Sequence, residues 1–390
     1  MPSNIGVVCF PTVGGSGILA TELGVALAKR GHRVHFVCTG MPTRLEPGLD
    51  NIFFHGVEAK DYPVFPSAPY ALALASRLVE VVQYEQLDIV HVHYAIPHAT
   101  SAYLAKAILG NGRPKILLTL HGTDVTLVGS DPSYLAITRF SILQSDFVTV
   151  PSESLRDQTY NKLSIPPEFP IEVVPNFVDM DRFRPAAVID RSHLAALFYR
   201  CPKVVTDIYG DATVLIHVSN FRPVKRIADV LDIFRRVASV RNAVLVLVGD
   251  GPDRSRAEAF ARQHDLWHRV AFLGKQEHVG SWLTLADIFL FPSENESFGL
   301  AALEAQSTGL PVVGSDAGGI REVVEDSVTG FLHSVGDTAA MAQSVIDLID
   351  DKNRRHQMGL AARSRVNERF RLDGLVTRYE RIIEDLAAGH

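Results

Sequence analysis

The sequence predicts an α/β protein built from two doubly wound parallel sheets. Three observations lead there. Short, wholly apolar runs rich in β-branched residues alternate with helical patterns along the chain, as parallel strands covered by helices on both faces do. Four of the apolar runs end in a glycine-bearing turn. The length, 390 residues, exceeds the comfortable size of one hydrophobic core, so two domains are expected.

In the first half the strand-like runs are IGVVCF, RVHFVCT, DIVHVHY, KILLTL, FVTVPS and IEVVPN; in the second they are TVLIHVSN, AVLVLVGDG, VAFLG, IFLFPS and PVVGSD. Between the two series, VVPNFVDMDRFRP is rich in turn residues, which places the hinge near Val178 and gives domains over residues 1–178 and 179–370. Residues 186–211 predict a short helix and a polar loop. The last stretch, LDGLVTRYERIIEDLAA, carries Leu375, Tyr379, Ile382, Ile383 and Leu386 at helical spacing, so 371–390 is expected to close the chain as an amphipathic helix able to pack back across the first domain.

Composition narrows the function. Hydrophobic residues at 47% and charged residues at 21% are those of a well-packed globular protein. A net charge of −6 argues against non-specific nucleic-acid binding, which needs a basic face. The three cysteines, Cys9, Cys38 and Cys201, read as reduced thiols of a cytosolic protein. No apolar run approaches a membrane span, and the N-terminus lacks a signal-peptide pattern, so a cytoplasmic location is expected. A homo-oligomer is compatible with the sequence.

The first glycine turn, PTVGGSGILA, follows a strand and opens a helix. Gly15, Gly17 and Ala20 satisfy the dinucleotide pattern, but the acidic residue needed on the adenine ribose is missing from VCTGMP at the end of the second strand. An anion at the free amides of a helix N-terminus is the better reading than a dinucleotide or a packing turn alone. In HVSNFRPVKR, Arg222 and Lys225 lie beside a turn after the first strand of the second domain, where they can converge on one anion; a solvated basic patch is the bland alternative. VGDGPD and DAGGIREVV repeat the strand–glycine turn–helix arrangement, each weak alone. His91 and His93 share one strand face without carboxylate or thiol partners at ligand spacing, so a buried hydrogen-bonded pair is expected rather than zinc. His121 sits just past a strand end, either facing a cleft or as an ordinary loop histidine. No nucleophile motif is present.

ENESFGLAALEA sets Glu296 and Glu304 on either side of a Phe-Gly step. Eight residues of continuous helix would rise about 12 Å and leave the two about 80° apart around the axis. That is too far for paired carboxylates, which sit about 5 Å apart in a retaining glycosidase and under about 10 Å apart in an inverting one. A ligand touching both must be long.

Together these features resemble the retaining glycosyltransferases of the GT-B fold, two Rossmann-like domains facing a cleft, which use nucleotide sugars. The resemblance spans almost the whole chain, with the Glu-x7-Glu element its most specific part. It implies that Glu296 binds donor-sugar hydroxyls, Glu304 the ribose, and the Phe298 and Gly299 amides the sugar and diphosphate. Arg222 and Lys225 match the diphosphate-binding pair, Gly274 in FLGK the segment reading the base, and His121 the residue against the donor sugar. Gly15, Ser16 and Gly17 would form the anion loop. His121, Arg222, Lys225 and Glu296 would carry catalysis, with no metal or other cofactor expected where cationic side chains neutralise the phosphates.

CFPTVGGSG, ALASRL, HVHYAIPHA and TLHGTDVTLVGSDPS resemble the malate-using branch of that family, which transfers N-acetylglucosamine from UDP-GlcNAc to L-malate in bacillithiol biosynthesis. Asn220 replaces the Arg of many relatives, as in that branch. By this resemblance Ser16, Tyr94, Thr119 and Asn220 line the acceptor pocket, with Arg139 as a carboxylate partner. The alternatives are the same fold with a lipid, inositol phosphate or polysaccharide acceptor, a UDP-sugar epimerase, or a non-catalytic sugar-nucleotide sensor.

Overall fold

The computed structural model describes residues 2–12, 14–45, 48–61, 67–110, 112–198 and 202–389. The chain divides into two units, Met1–Asn176 with Asp373–His390, and Phe177–Leu372. Cys201 lies outside the described residues.

The first unit holds β1 (Asn4–Val8), β2 (Arg33–Cys38), β3 (Ile52–Gly56), β4 (Ile89–His93), β5 (Lys115–Thr119), β6 (Phe147–Val150) and β7 (Glu172–Val173). They form one sheet in the order β3-β2-β1-β4-β5-β6-β7, every pair parallel. The second unit holds β8 (Thr213–Val218), β9 (Ala243–Val248), β10 (Val270–Gly274), β11 (Ile288–Phe291), β12 (Val312–Ser315) and β13 (Gly330–His333) in the order β10-β9-β8-β11-β12-β13, again all parallel. Both orders reverse beside the first strand of the sheet, which is the topological switch point where such sheets bind ligands.

β3 and β13 are strands that the apolar runs do not reveal. β3 is a partly exposed edge strand and β13 is four residues opening on glycine, so neither is the continuous buried run that marks a central parallel strand. Residues 186–211 also differ from expectation. They form two helices, Ser192–Leu197 and Pro202–Tyr209, rather than a helix and a polar loop. Leu194, Phe198, Val204 and Ile208 are buried with Val214 and Ile216 of β8, so packing against the sheet overrides the polar character of the segment.

Alternation along the strands sorts the first sheet's two faces. Val90 and Val92 of β4 join Ile116 and Leu118 of β5 in an apolar core with Leu74 and Leu78 of the helix Tyr70–Glu85. His91, His93 and Thr119 therefore point to the opposite face. There the helix Leu372–Ala388 buries Leu375, Val376, Tyr379, Ile382, Ile383 and Leu386, with the Tyr379 ring 5.5 Å from that of His91. Ion pairs Arg30–Glu380 at 2.8 Å and Arg378–Glu172 at 2.8 Å flank that helix. Among the described residues no helix is long and apolar enough to cross a membrane.

Candidate active site

In the second unit the expected donor residues gather at the C-terminal ends of the strands. The loop after β11 carries Glu296, Ser297 and Phe298 to Gly299, which has φ +103° and precedes the helix Leu300–Ser307. Glu296 thus lies outside the helix and only Glu304 within it. The rise and rotation expected for eight continuous helical residues do not apply, because the chain from 296 to 299 is loop. Both carboxylates are nonetheless buried, at 9% and 7% exposure.

The loop is held from β12. A Cβ on Gly318 would lie 2.2 Å from the Glu296 carbonyl oxygen, and the Gly319 N–H donates to that carbonyl at 2.7 Å. With φ +65° as well, Gly318 is a position only glycine fills without displacing the glutamate. Phe298 is buried against Phe370, with ring centroids 5.7 Å apart, which anchors the other side of the loop.

Lys225 closes a short turn, Pro223–Lys225, after β8. Its Nζ donates to Glu296 Oε1 at 2.5 Å and lies 5.7 Å from the centre of the Phe291 ring. The structure thereby pairs Lys225 with Glu296, while Arg222 precedes the same turn with its side chain exposed. Asn220 is exposed too, in a loop held by His217, whose Nε2 meets Ser219 Oγ at 2.8 Å and whose Nδ1 meets the Leu290 carbonyl oxygen at 2.8 Å. Gly274 ends β10, its carbonyl accepting the Gly249 N–H at 2.8 Å.

In the first unit, Gly15, Ser16 and Gly17 open the helix Gly15–Lys29 after β1. A Cβ on Gly17 would stand 2.4 Å from the Phe10 carbonyl oxygen, so the strand exit and the helix start can touch only through glycine. Ser16 Oγ and Tyr94 Oη share a hydrogen bond of 2.9 Å. Tyr94 has φ +91° and ψ +136°, strained for a tyrosine, and its N–H donates to the Thr119 carbonyl at 3.1 Å. The Tyr94 and His121 rings lie 5.3 Å apart, and His121 Nε2 meets His93 Nδ1 at 2.9 Å. Ser16, Tyr94 and His121 therefore form one group.

Two expected acceptor residues stand apart from it. Thr119 is 3% exposed, and its hydroxyl bonds His91 Nε2 at 2.7 Å and Thr149 Oγ1 at 2.7 Å. Strand alternation turns the side chain onto the buried face beneath the helix Leu372–Ala388, so it does not line a pocket and only its carbonyl reaches Tyr94. Arg139 is exposed on the helix Leu135–Leu143, and none of the contacts that join Ser16, Tyr94 and His121 reaches it. His91 and His93 are buried as expected, but their rings lie 4.4 Å apart at a tilt and their hydrogen bonds go to Thr119 and His121 instead of to each other.

Asp124 is a residue the motifs did not single out. Its carboxylate accepts from the amides of His121 at 3.1 Å, Gly122 at 2.9 Å and Ala95 at 3.3 Å, tying the HGTD turn to the segment after Tyr94. The side chain reaches back to amides two, three and 29 residues earlier, the reverse of the forward Asx turn that marks a sequence, so no local pattern announces it. Burial raises the Asp124 pKa to about 6, and the donated amides oppose that rise. Burial also lowers His121 to about 3, helped by His98, so His121 is neutral near pH 7 and can exchange hydrogen bonds but supplies no positive charge. Asp124→Ala should leave buried amides unpaired and destabilise the protein by about 1–3 kcal/mol in urea unfolding, whereas Asp124→Asn, which keeps an acceptor, should lose less. Equal stability of wild type and the alanine variant would show that the carboxylate does not hold the turn.

Known proteins agree with this architecture. Residues 13–182 match the family described as Glycosyltransferase Family 4, and residues 203–365 match Glycosyl transferases group 1. The N-acetyl-alpha-D-glucosaminyl L-malate synthase of Bacillus anthracis is 45% identical over 386 residues, covering 99% of this chain and 98% of the relative. A D-inositol 3-phosphate glycosyltransferase of Saccharomonospora viridis is 27% identical, covering 85% of this chain and 80% of the relative. Among solved structures, sucrose-phosphate synthase from Thermosynechococcus elongatus superposes with TM-score 0.80 at 21% identity over 100% of both chains. Anabaena HepE in complex with UDP and glucose gives TM-score 0.79 at 17% identity over 98% of this chain and 99% of the other. The chain belongs to the GT-B glycosyltransferases, in the family that includes the N-acetyl-alpha-D-glucosaminyl L-malate synthase of Bacillus anthracis.

Proposed function

We propose that this enzyme transfers N-acetylglucosamine from UDP-GlcNAc to the hydroxyl of L-malate, with retention at the anomeric carbon, as the first step of bacillithiol biosynthesis. The observation that carries the reading is the 45% identity to the N-acetyl-alpha-D-glucosaminyl L-malate synthase over nearly the full length of both chains. The donor end is supported by the buried Glu296 and Glu304 on either side of a helix N-terminus, an arrangement that suits a long ligand with an anionic middle.

In this reading Glu296 receives sugar hydroxyls, Glu304 the ribose, and the segment at Gly274 the base. Arg222 and Lys225 take the diphosphate, with Lys225 also bonded to Glu296 so that sugar and phosphate recognition are coupled. The bond from the anomeric carbon to the UDP oxygen breaks, and a bond from that carbon to the malate hydroxyl oxygen forms on the same face. The hydroxyl proton passes to the departing phosphate, whose charge Arg222, Lys225 and the Phe298 and Gly299 amides stabilise. These cations fill the neutralising role that a metal would otherwise take in the transfer. Ser16, Tyr94 and Asn220 bind the acceptor, with Arg139 as the candidate carboxylate partner, while the buried Thr119 hydroxyl takes no part. Cys9 and Cys38 face each other as thiols at 3.7 Å, which fits action in the reducing cytoplasm.

Incubation with UDP-GlcNAc should release UDP only when L-malate is added, and a glucosaminyl-malate product should be found by mass. UDP release with an inositol phosphate in place of malate would keep the enzyme class and remove the acceptor.

A further inference from the structure

His35, His55 and Glu85 meet at one point of the first unit that the transfer chemistry does not use. His35 Nδ1 lies 3.0 Å from His55 Nε2 and 4.0 Å from Glu85 Oε2, and the three ligand atoms all fall within 4.8 Å of one another. Each comes from a separate element: His35 from β2, His55 from the edge strand β3, and Glu85 from the C-terminal end of the helix Tyr70–Glu85.

We propose that His35 Nδ1, His55 Nε2 and Glu85 Oε2 bind a divalent transition-metal ion of the zinc type, as a structural staple remote from the transfer site. Tetrahedral zinc with bonds of about 2.0–2.2 Å needs its ligand atoms roughly 3.3 Å apart, and the observed 3.0 and 4.0 Å bracket that value. Two imidazoles and one carboxylate form a borderline donor set that suits zinc better than magnesium or calcium, which prefer oxygen alone. The donors are held before any ion arrives. The His35 ring is fully buried and stacked on Phe53 at 4.6 Å, and β2 and β3 pair directly from Val34↔Ile52 to Cys38↔Gly56.

Nearby cations do not block the site. Arg77 is paired with Glu80 at 2.7 Å, and Arg33 reaches Glu85 Oε2 at 3.5 Å, a partly exposed contact that an ion would displace. His35 and His55 lie within β2 and β3, and Glu85 ends the helix that leads into β4, whereas Ser16, Tyr94 and His121 follow strand C-termini. Coordination would fasten β3, which has a single neighbouring strand, to both β2 and the covering helix.

The test uses the full chain after chelator treatment, titrated with Zn²⁺ and separately with Co²⁺. Wild type should take up one equivalent of Zn²⁺, show the visible absorption of four- or five-coordinate Co²⁺, and unfold at a higher temperature with Zn²⁺ than without. His55→Ala should weaken Zn²⁺ binding at least about 100-fold and abolish the thermal shift, with Glu85→Gln weakening it less, while UDP-GlcNAc turnover stays unchanged. If wild type binds no stoichiometric zinc, or if His55→Ala binds it equally through surface histidines, the proposal is overturned. Because these readouts are metal content, absorption and melting, they do not depend on the acceptor being malate.

Discussion

Lys225→Ala is expected to lower kcat for sugar transfer about 10²–10³-fold, the loss typical when one preorganised donor to a developing negative charge is removed. The structure adds a second consequence. Lys225 Nζ sits 2.5 Å from Glu296 Oε1, and both side chains are largely buried, at 19% and 10% exposure. Alanine leaves the Glu296 carboxylate without this partner, so part of the deficit reflects a displaced glutamate as well as a missing cation. Glu296→Gln keeps the side-chain shape and removes its charge; losing charged hydrogen bonds to the sugar at about 1.5–3 kcal/mol corresponds to roughly a 10–10²-fold fall in turnover. Because the residues touch, the double variant should lose less than the product of the single losses. Steady-state kinetics of the four proteins checks this. Unchanged kcat in Lys225→Ala, or full multiplicativity, would remove the proposed coupling of sugar and phosphate recognition.

Stability should fall steeply as pH drops from 6.5 toward 4. Burial depresses the imidazoles of His91 and His121 to about 3 and of His35, His98 and His217 to about 4, and His93 well below its ordinary value, with neighbouring histidines adding to the effect at His91 and His93. The folded chain therefore binds fewer protons than the unfolded chain between the ordinary value near 6.5 and these depressed ones. Stability is fully present above pH 6.5 and is lost on acidification through that window, by about 1.4 kcal/mol per pH unit for each group at most. Six such groups would remove on the order of 5–7 kcal/mol between pH 6 and 5. Asp124 acts in the opposite sense, since its raised pKa of about 6 returns roughly 1 kcal/mol over the same interval. Urea unfolding at pH 7.5, 6 and 5 measures the net slope, and His217→Gln should reduce it by about one proton. A flat profile would mean that these imidazoles protonate inside the folded state.

Much of the fold was legible because central parallel strands are buried on both faces and read as apolar runs that need no tertiary information. β3 and β13 were not, since a half-exposed edge strand and a four-residue strand opening on glycine carry no such run. The glycine loops were legible for a related reason. Close backbone approach, as at Gly17 against Phe10 and Gly318 against Glu296, restricts the residue type and so marks the sequence.

Side-chain partnerships were a different matter. Thr119 ends a strand beside the site in sequence terms, yet alternation and the register His93↔Thr119 turn its hydroxyl toward His91 and Thr149. By itself the sequence determined the two-sheet architecture, the glycine loops at the strand ends and the Phe-Gly helix mouth between two glutamates, all of which follow from local periodicity and backbone sterics. Only the tertiary structure decided that Lys225 meets Glu296 across 71 residues of chain, and that Asp124 reaches Ala95 across 29. Both contacts depend on which strands become neighbours and which face each residue takes, and neither is written in a local pattern.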